Sequence, residues 1–156
     1  MVRKKKGDAR KEILNKKLHF KYKVEEKLEA GIVLQGTEVK AIREGNAQIN
    51  EAFCKVTGDD IILQNAHISE YTHGNYNNHA PARPRKLLLH RKEINRIRGQ
   101  LEAGGKTLVP ARLYFRKGLI KLEVALCTGK KLYDKRQDMK KRVEMREAER
   151  AMKTYR

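Results

Sequence analysis

Strict alternation of apolar and charged side chains begins at Phe20 and governs the reading of most of the chain. Phe20, Tyr22, Val24, Leu28, Ala30, Ile32 and Leu34 share one parity; Lys21, Lys23, Glu25, Lys27 and Glu29 hold the other. A period of two with a charged outer face predicts a long, half-buried antiparallel strand, bent near Gly31 where no side chain packs. Glu26 interrupts the apolar face and marks a β-bulge or a crossing between two strands. The pattern returns in Ala52, Cys54 and Val56, which a Thr57-Gly58-Asp59-Asp60 turn joins to Ile61 through Ile68. It returns again in a hairpin of Leu108–Phe115 and Leu119–Cys127 around Lys117-Gly118. In its second strand Ile120, Leu122, Val124 and Leu126 point one way, Lys121 and Glu123 the other.

Helical spacing is brief. Residues 37–45 predict a short helix, capped at Gly36 or Thr37 and stopped by Gly45. Leu87 to Leu89 lead into a second, where Ile94, Ile97 and Leu101 form one stripe and Gly104-Gly105 end it. Nascent helix is expected around Ala9 to Leu14. Residues 72–85 have no period and contain Pro81 and Pro84, which predicts a long exposed loop. Five or more half-buried antiparallel strands with two or three short helices predict a mainly β fold. A small closed or nearly closed barrel satisfies it, because closure removes the strand edges.

Charge adds what periodicity cannot. Of the formal net charge of +18, residues 1–17 hold eight basic and two acidic side chains, and Thr128–Arg156 hold eleven and five. The chain therefore divides into a basic N-terminal arm (1–17), a barrel domain (18–127) and a basic C-terminal tail (128–156). The tail has helix-forming residues throughout and no continuous apolar stripe. On a helix Leu132, Met139 and Val143 would share one side, with Met145 and Met152 nearly opposite. Such a segment is expected to be disordered when free and helical when bound to a polyanion, helped by Asp138–Arg142 and Glu149–Lys153 pairs. A pI near 10.1 favours nucleic acid over a membrane, since Trp is absent and neither end carries a broad apolar face. No apolar stretch could span a bilayer, and Met1 to Lys6 lack a signal-peptide core. A cytoplasmic protein is expected, with Cys54 and Cys127 as reduced core thiols.

Catalytic signals fail on inspection. Residues 100–107 approach a phosphate-binding loop, but Gln100 stands where its first glycine belongs, and the segment follows a helix instead of opening one. His67, His73 and His79 have near-zinc spacing, yet Cys54 lacks a second cysteine before it, so solvated or loop histidines are the reading. Glu25 and Glu26 are strand neighbours on opposite sides. No enzyme activity, cofactor or metal is expected. Cations on the proline-stiffened Arg83-Pro84-Arg85-Lys86 run, with Tyr71, Tyr76 and Tyr133 among polar residues, instead suit base stacking and phosphate contact.

Three stretches carry a family resemblance, namely residues 29–40 (EAGIVLQGTEVK), 83–90 (RPRKLLLH) and 129–136 (GKKLYDKR). In order and spacing they resemble SmpB, small protein B, the protein partner of tmRNA. The resemblance implies an OB-like barrel that binds the tRNA-like domain of tmRNA, and a role in bacterial ribosome rescue by trans-translation. It implies RNA contacts at Asn15, Glu29, Leu88 and Lys121, with Lys86 beside them. It also implies a tail that probes the empty mRNA channel and the decoding centre of the small-subunit rRNA, through Gly129, Lys130, Lys131, Tyr133, Asp134, Lys135 and Arg136. Alanyl-tRNA synthetase and elongation factor Tu would be indirect partners through tmRNA. The alternative reading is a general ribosomal or ribosome-assembly protein that uses the same barrel on ordinary rRNA.

Overall fold

In the computed structural model, which describes residues 12–73 and 78–154, the alternating segments close into a barrel. The strands are β1 (Ile13–Leu14), β2 (Tyr22–Ile32), β3 (Ala47–Gln48), β4 (Phe53–Thr57), β5 (Asp60–Gln64), β6 (His67–Ile68), β7 (Arg85–Leu88), β8 (Lys106–Arg116) and β9 (Leu119–Gly129). The helices are α1 (Leu18–Lys21), α2 (Gly36–Arg43), α3 (Arg91–Glu102) and α4 (Leu132–Thr154). The order is β1-β8-β4-β5-β7-β2-β9, and β9 pairs back onto β8, so β8-β4-β5-β7-β2-β9 is a closed antiparallel ring. Strands β3 and β6 pair separately. The arm before Glu12, including the start of the helix expected at Ala9, lies outside the described residues, as does Tyr76.

Ala30, Ile61, Leu63, Leu87, Leu108, Leu113, Leu122 and Val124 fill the ring, each buried. Ala41 and Ile42 of α2 and Ile94 and Ile97 of α3 join the same core. Each such large side chain contributes about 1.5–3 kcal/mol of burial. Gly45, at φ +79°, stops α2 as expected, whereas the cap is Gln35, whose backbone N–H donates to Glu38 Oε1 at 3.0 Å. Lys117 and Gly118, at φ +50° and +78°, make the tight turn between β8 and β9.

The bulge at Glu26 does more than interrupt a face. Register shifts between Val24 and Glu26, and the inserted residue reverses which parity points inward. Leu28 therefore packs in the ring, while Tyr22 and Val24 pack in a second cluster with Leu18, Val109, Ala111, Ala125 and Cys127. Helix α1 supplies Leu18 to this cluster, so Phe20 belongs to a helix and not to the strand expected there. Strands β8 and β9 are thus buried on both faces at this end. Two boundaries move accordingly. Ile13 and Leu14, expected to end a nascent helix in the arm, are a strand that pairs with Leu113 and Arg112, and β9 runs past Cys127 to Gly129, opposite Tyr22.

Candidate nucleic-acid interface

Gly31 is the centre of the outer face formed by β7, β2, β9 and β8. It stands opposite Leu88 on one side and Lys121 on the other, and Lys121 in turn faces Tyr114. A Cβ on Gly31 would lie 3.1 Å from the Leu88 Cβ, so the absent side chain lets Leu88 lie across the strand, 53% exposed. One row along the same face, Glu29 stands opposite Glu123, Glu123 opposite Arg112, and Arg112 opposite Leu14. Lys86 precedes Leu88 by two residues on β7 and so shares its face; its Nζ lies 3.3 Å from Asp60.

Charges on this face are organised into pairs. The Tyr114 hydroxyl donates to Glu29 Oε2, and Arg116 Nη1 donates to both Glu29 oxygens at 3.1 and 3.0 Å. The Tyr114 bond and then Arg116 hold the Glu29 carboxyl below its ordinary value, against the opposing effect of desolvation. Burial, followed by the Glu29 carboxylate, pushes the Tyr114 phenol up to about 12. Arg112 stacks 4.3 Å from the Tyr114 ring centroid and donates to Glu123 at 3.0 Å and to Glu12 at 2.7 Å. Lys27 lies 3.4 Å from Glu123.

Asn15 sits at the edge of the face with its side chain turned inward. Its Nδ2 donates to Pro110 O at 2.8 Å, its backbone N–H to Ala111 O at 2.9 Å, and its Oδ1 accepts from the Lys17 N–H at 3.1 Å. Register slips between Pro110 and Arg112, so Asn15 satisfies carbonyls that this second bulge frees from the ladder. Glu29, Lys86, Leu88 and Lys121 therefore share one surface, and Asn15 adjoins it through Leu14. The sequence marked Gly31 only as a strand bend and gave no role to Arg112, Tyr114 or Arg116. The available signal was the even spacing of the last three on the outward parity of β8, the strand beside Lys121.

The loop cations are placed differently from expectation. Arg85 is fully buried; it donates to Glu38 Oε2 through Nε, to Ala66 O at 2.8 Å and to Pro81 O at 3.0 Å. Arg83 donates to the other Glu38 oxygen. Burial pushes the Glu38 carboxyl up, but the bonds from Arg83, the Gln35 N–H and Arg85 outweigh it and hold it below its ordinary value. Of the run 83–86, Lys86 is the cation left facing solvent on the strand. His79 is a loop histidine, as one of the two readings had it, but a buried one, between Thr37 Oγ1 at 2.9 Å and Ile68 O at 2.8 Å. The Tyr71 N–H donates to Asn78 Oδ1 at 3.1 Å and its carbonyl accepts from Asn78 Nδ2 at 2.8 Å, and its ring lies under Lys40 Nζ at 5.3 Å. Cys54 and Cys127 are free and buried, and burial raises both thiols, Cys127 to about 11. Among the described residues no cluster of His, Cys, Asp or Glu could hold a metal.

The tail leaves the barrel at Gly129. The Lys130 N–H donates to Lys21 O at 3.0 Å, and the Lys130 ammonium pairs with Asp138, which was expected to pair with Arg142. Arg142 lies 5.9 Å from the Phe20 ring. Tyr133 is 70% exposed; Lys131, Asp134 and Arg136 are exposed and Lys135 is half-buried. Met139, Val143, Met145 and Met152 are all exposed, so the 23-residue helix has no apolar seam against the barrel.

Comparison with known proteins supplies the family. The family model for SmpB protein matches residues 12–154. An SsrA-binding protein of Syntrophobacter fumaroxidans is 51% identical over 142 residues, covering 91% of this chain and 88% of its own. An SsrA-binding protein of Geobacillus kaustophilus is 50% identical over 148 residues, covering 95% and 96%. A solved chain described as "tmRNA-SmpB: a journey to the center of the bacterial ribosome" matches with a TM-score of 0.66 and 39% identity, covering 78% of this chain and 85% of that one.

Proposed function

The chain belongs to the SmpB family, and from that premise we propose that it is a tmRNA-binding protein of trans-translation that acts with the ribosome. The observation that carries the site is the gathering of Glu29, Leu88 and Lys121 around Gly31 on one outer face of a closed barrel. A rigid convex surface suits a folded RNA elbow, because it reads shape and splayed bases without entering a deep, narrow groove. Lys121 supplies phosphate contact, Leu88 an apolar surface for a base or ribose, and Glu29 an acceptor for amino or 2′-hydroxyl donors. Asn15 acts by holding the β1 segment against the bulge, which sets the border of that face.

The tail serves the other task. Gly129 at the end of β9, with Lys130 and Lys131, leads into a cationic helix whose first turns carry Tyr133, Asp134, Lys135 and Arg136, and which enters an mRNA channel only when no mRNA lines it, because two occupants cannot share one rRNA surface. The protein works as a binding factor, not as an enzyme, and in the cytoplasm where ribosomes are. No described helix is long and apolar enough to cross a membrane.

Competition decides the reading. The isolated tRNA-like domain of tmRNA is set against ordinary tRNA at physiological ionic strength, for the full chain, for Lys121→Ala and for a chain ending at Lys130. The expected result is preference for the tRNA-like domain in both the full and the shortened chain, and its loss in Lys121→Ala. Equal affinity for both RNAs would favour general rRNA binding and overturn the proposal.

A further inference from the structure

Resting on the tmRNA reading above, we propose that Tyr114 is a positioning residue for RNA recognition: with Arg116 it fixes the Glu29 carboxylate as an acceptor aimed at RNA donors. The geometry leaves one place for such a donor. An ionised carboxylate has about four lone-pair sites. Tyr114 and Arg116 occupy both on Oε2, and Arg116 occupies one on Oε1. The remaining Oε1 position fits one amino or 2′-hydroxyl hydrogen.

Without the phenol, Glu29 has an alternative. Lys121 already attracts its carboxylate across the face, and both stand on outward positions of adjacent strands. A Glu29 side chain free to turn toward Lys121 would neutralise the phosphate-binding ammonium and withdraw the acceptor together. Tyr114 is itself held upright. Its ring is half-buried opposite Lys121, and the Arg112 guanidinium covers it while being anchored by Glu123 and Glu12. The hydroxyl's position is therefore set by strand packing before RNA arrives, which lowers the ordering cost of binding.

A double-mutant cycle on the full-length protein tests this with the isolated tRNA-like domain as probe. Tyr114→Phe keeps the ring and is expected to weaken binding about five- to tenfold, the scale of a charge-assisted hydrogen bond partly open to water. In a Glu29→Gln background the same change is expected to cost less than about twofold, because there is no carboxylate left to position. Equal losses in both backgrounds would mean a merely structural tyrosine and would overturn the inference while leaving the RNA face intact. Wild-type affinity in Glu29→Gln alone would instead overturn the role assigned to Glu29 itself.

Discussion

Replacing Glu38 by Gln keeps the outline of the start of α2 and removes one charge from the interior. Glu38 and Arg85 are both fully buried, and Arg83 shares the same carboxylate. Removing one partner of a buried ion pair costs about 3–5 kcal/mol, because the survivor stays charged and out of water. Here Arg85 retains two backbone acceptors, Ala66 O and Pro81 O, and the Gln carbonyl keeps one bond. The lower end, about 3 kcal/mol, is therefore expected. For a domain of this size that is about 12 °C in Tm, from a total stability of about 5–15 kcal/mol.

The pH dependence has a definite sign. The folded Glu38 value lies below its ordinary 4.5, so its contribution is present above that value and is lost as pH falls through the folded one. Wild-type Tm should drop on acidification in this window, and the Gln variant should lack that part of the drop. Thermal unfolding followed by circular dichroism from about pH 7 to about pH 3 reads both effects. A Tm loss below about 3 °C at neutral pH, with an unchanged acid limb, would refute the assignment of Glu38 as the counter-charge.

Gly31→Ala places a Cβ 3.1 Å from the Leu88 Cβ; stability should fall by about 1 kcal/mol, and affinity for the tRNA-like domain by about threefold or more as Leu88 is pushed off its surface. Unchanged RNA binding would remove Leu88 and Gly31 from the interface. The tail helix, with few tethers, should melt gradually and before the barrel, as judged by the circular-dichroism difference between the full chain and one ending at Lys130. A single shared transition would show it to be part of the folded domain. If about five phosphates are neutralised, log affinity for tmRNA should fall against log salt with a slope of about −3.5 to −4.5, and a salt-insensitive complex would contradict the electrostatic contribution.

Alternation made the barrel legible, and Glu26 even marked the bulge. Its consequence was not legible, because a one-residue insertion changes the inward parity only relative to a partner strand. The visible trace was Ala125 and Cys127, small residues standing where Lys121 and Glu123 set an outward, charged pattern. They are buried because α1 covers them. Arg85 was misplaced for a related reason. Its carboxylate partner stands 47 positions earlier, and no local pattern distinguishes a loop cation that faces solvent from one that holds two segments together. Family resemblance pointed to Glu29, Leu88 and Lys121 as candidates, but strand register was needed to show that they share one face around Gly31, with Tyr114 and Arg116 beside them.

The surface charges divide the molecule's work. Ion pairs cover the barrel's exterior: Glu25 with Lys106, Glu26 with Arg96, Glu29 with Arg116, Asp60 with Lys86, and Glu123 with Lys27 and Arg112. Such exposed pairs add little stability, but each already has a partner, so RNA bound on the proposed face would trade one satisfied arrangement for another. A wrong RNA that broke a pair without replacing it would lose affinity, so on the proposed reading charges that barely strengthen the fold would give the barrel selectivity. The one ion pair that reaches α4, among the described residues, is Lys130–Asp138. Arg142 lies against Phe20, and the exposed cations beyond it attract any polyanion alike, so attraction alone cannot make the tail selective. Selectivity there has to come from space. A helix of 23 residues is about 35 Å long, so the proposed role calls for a channel of that length with nothing else in it.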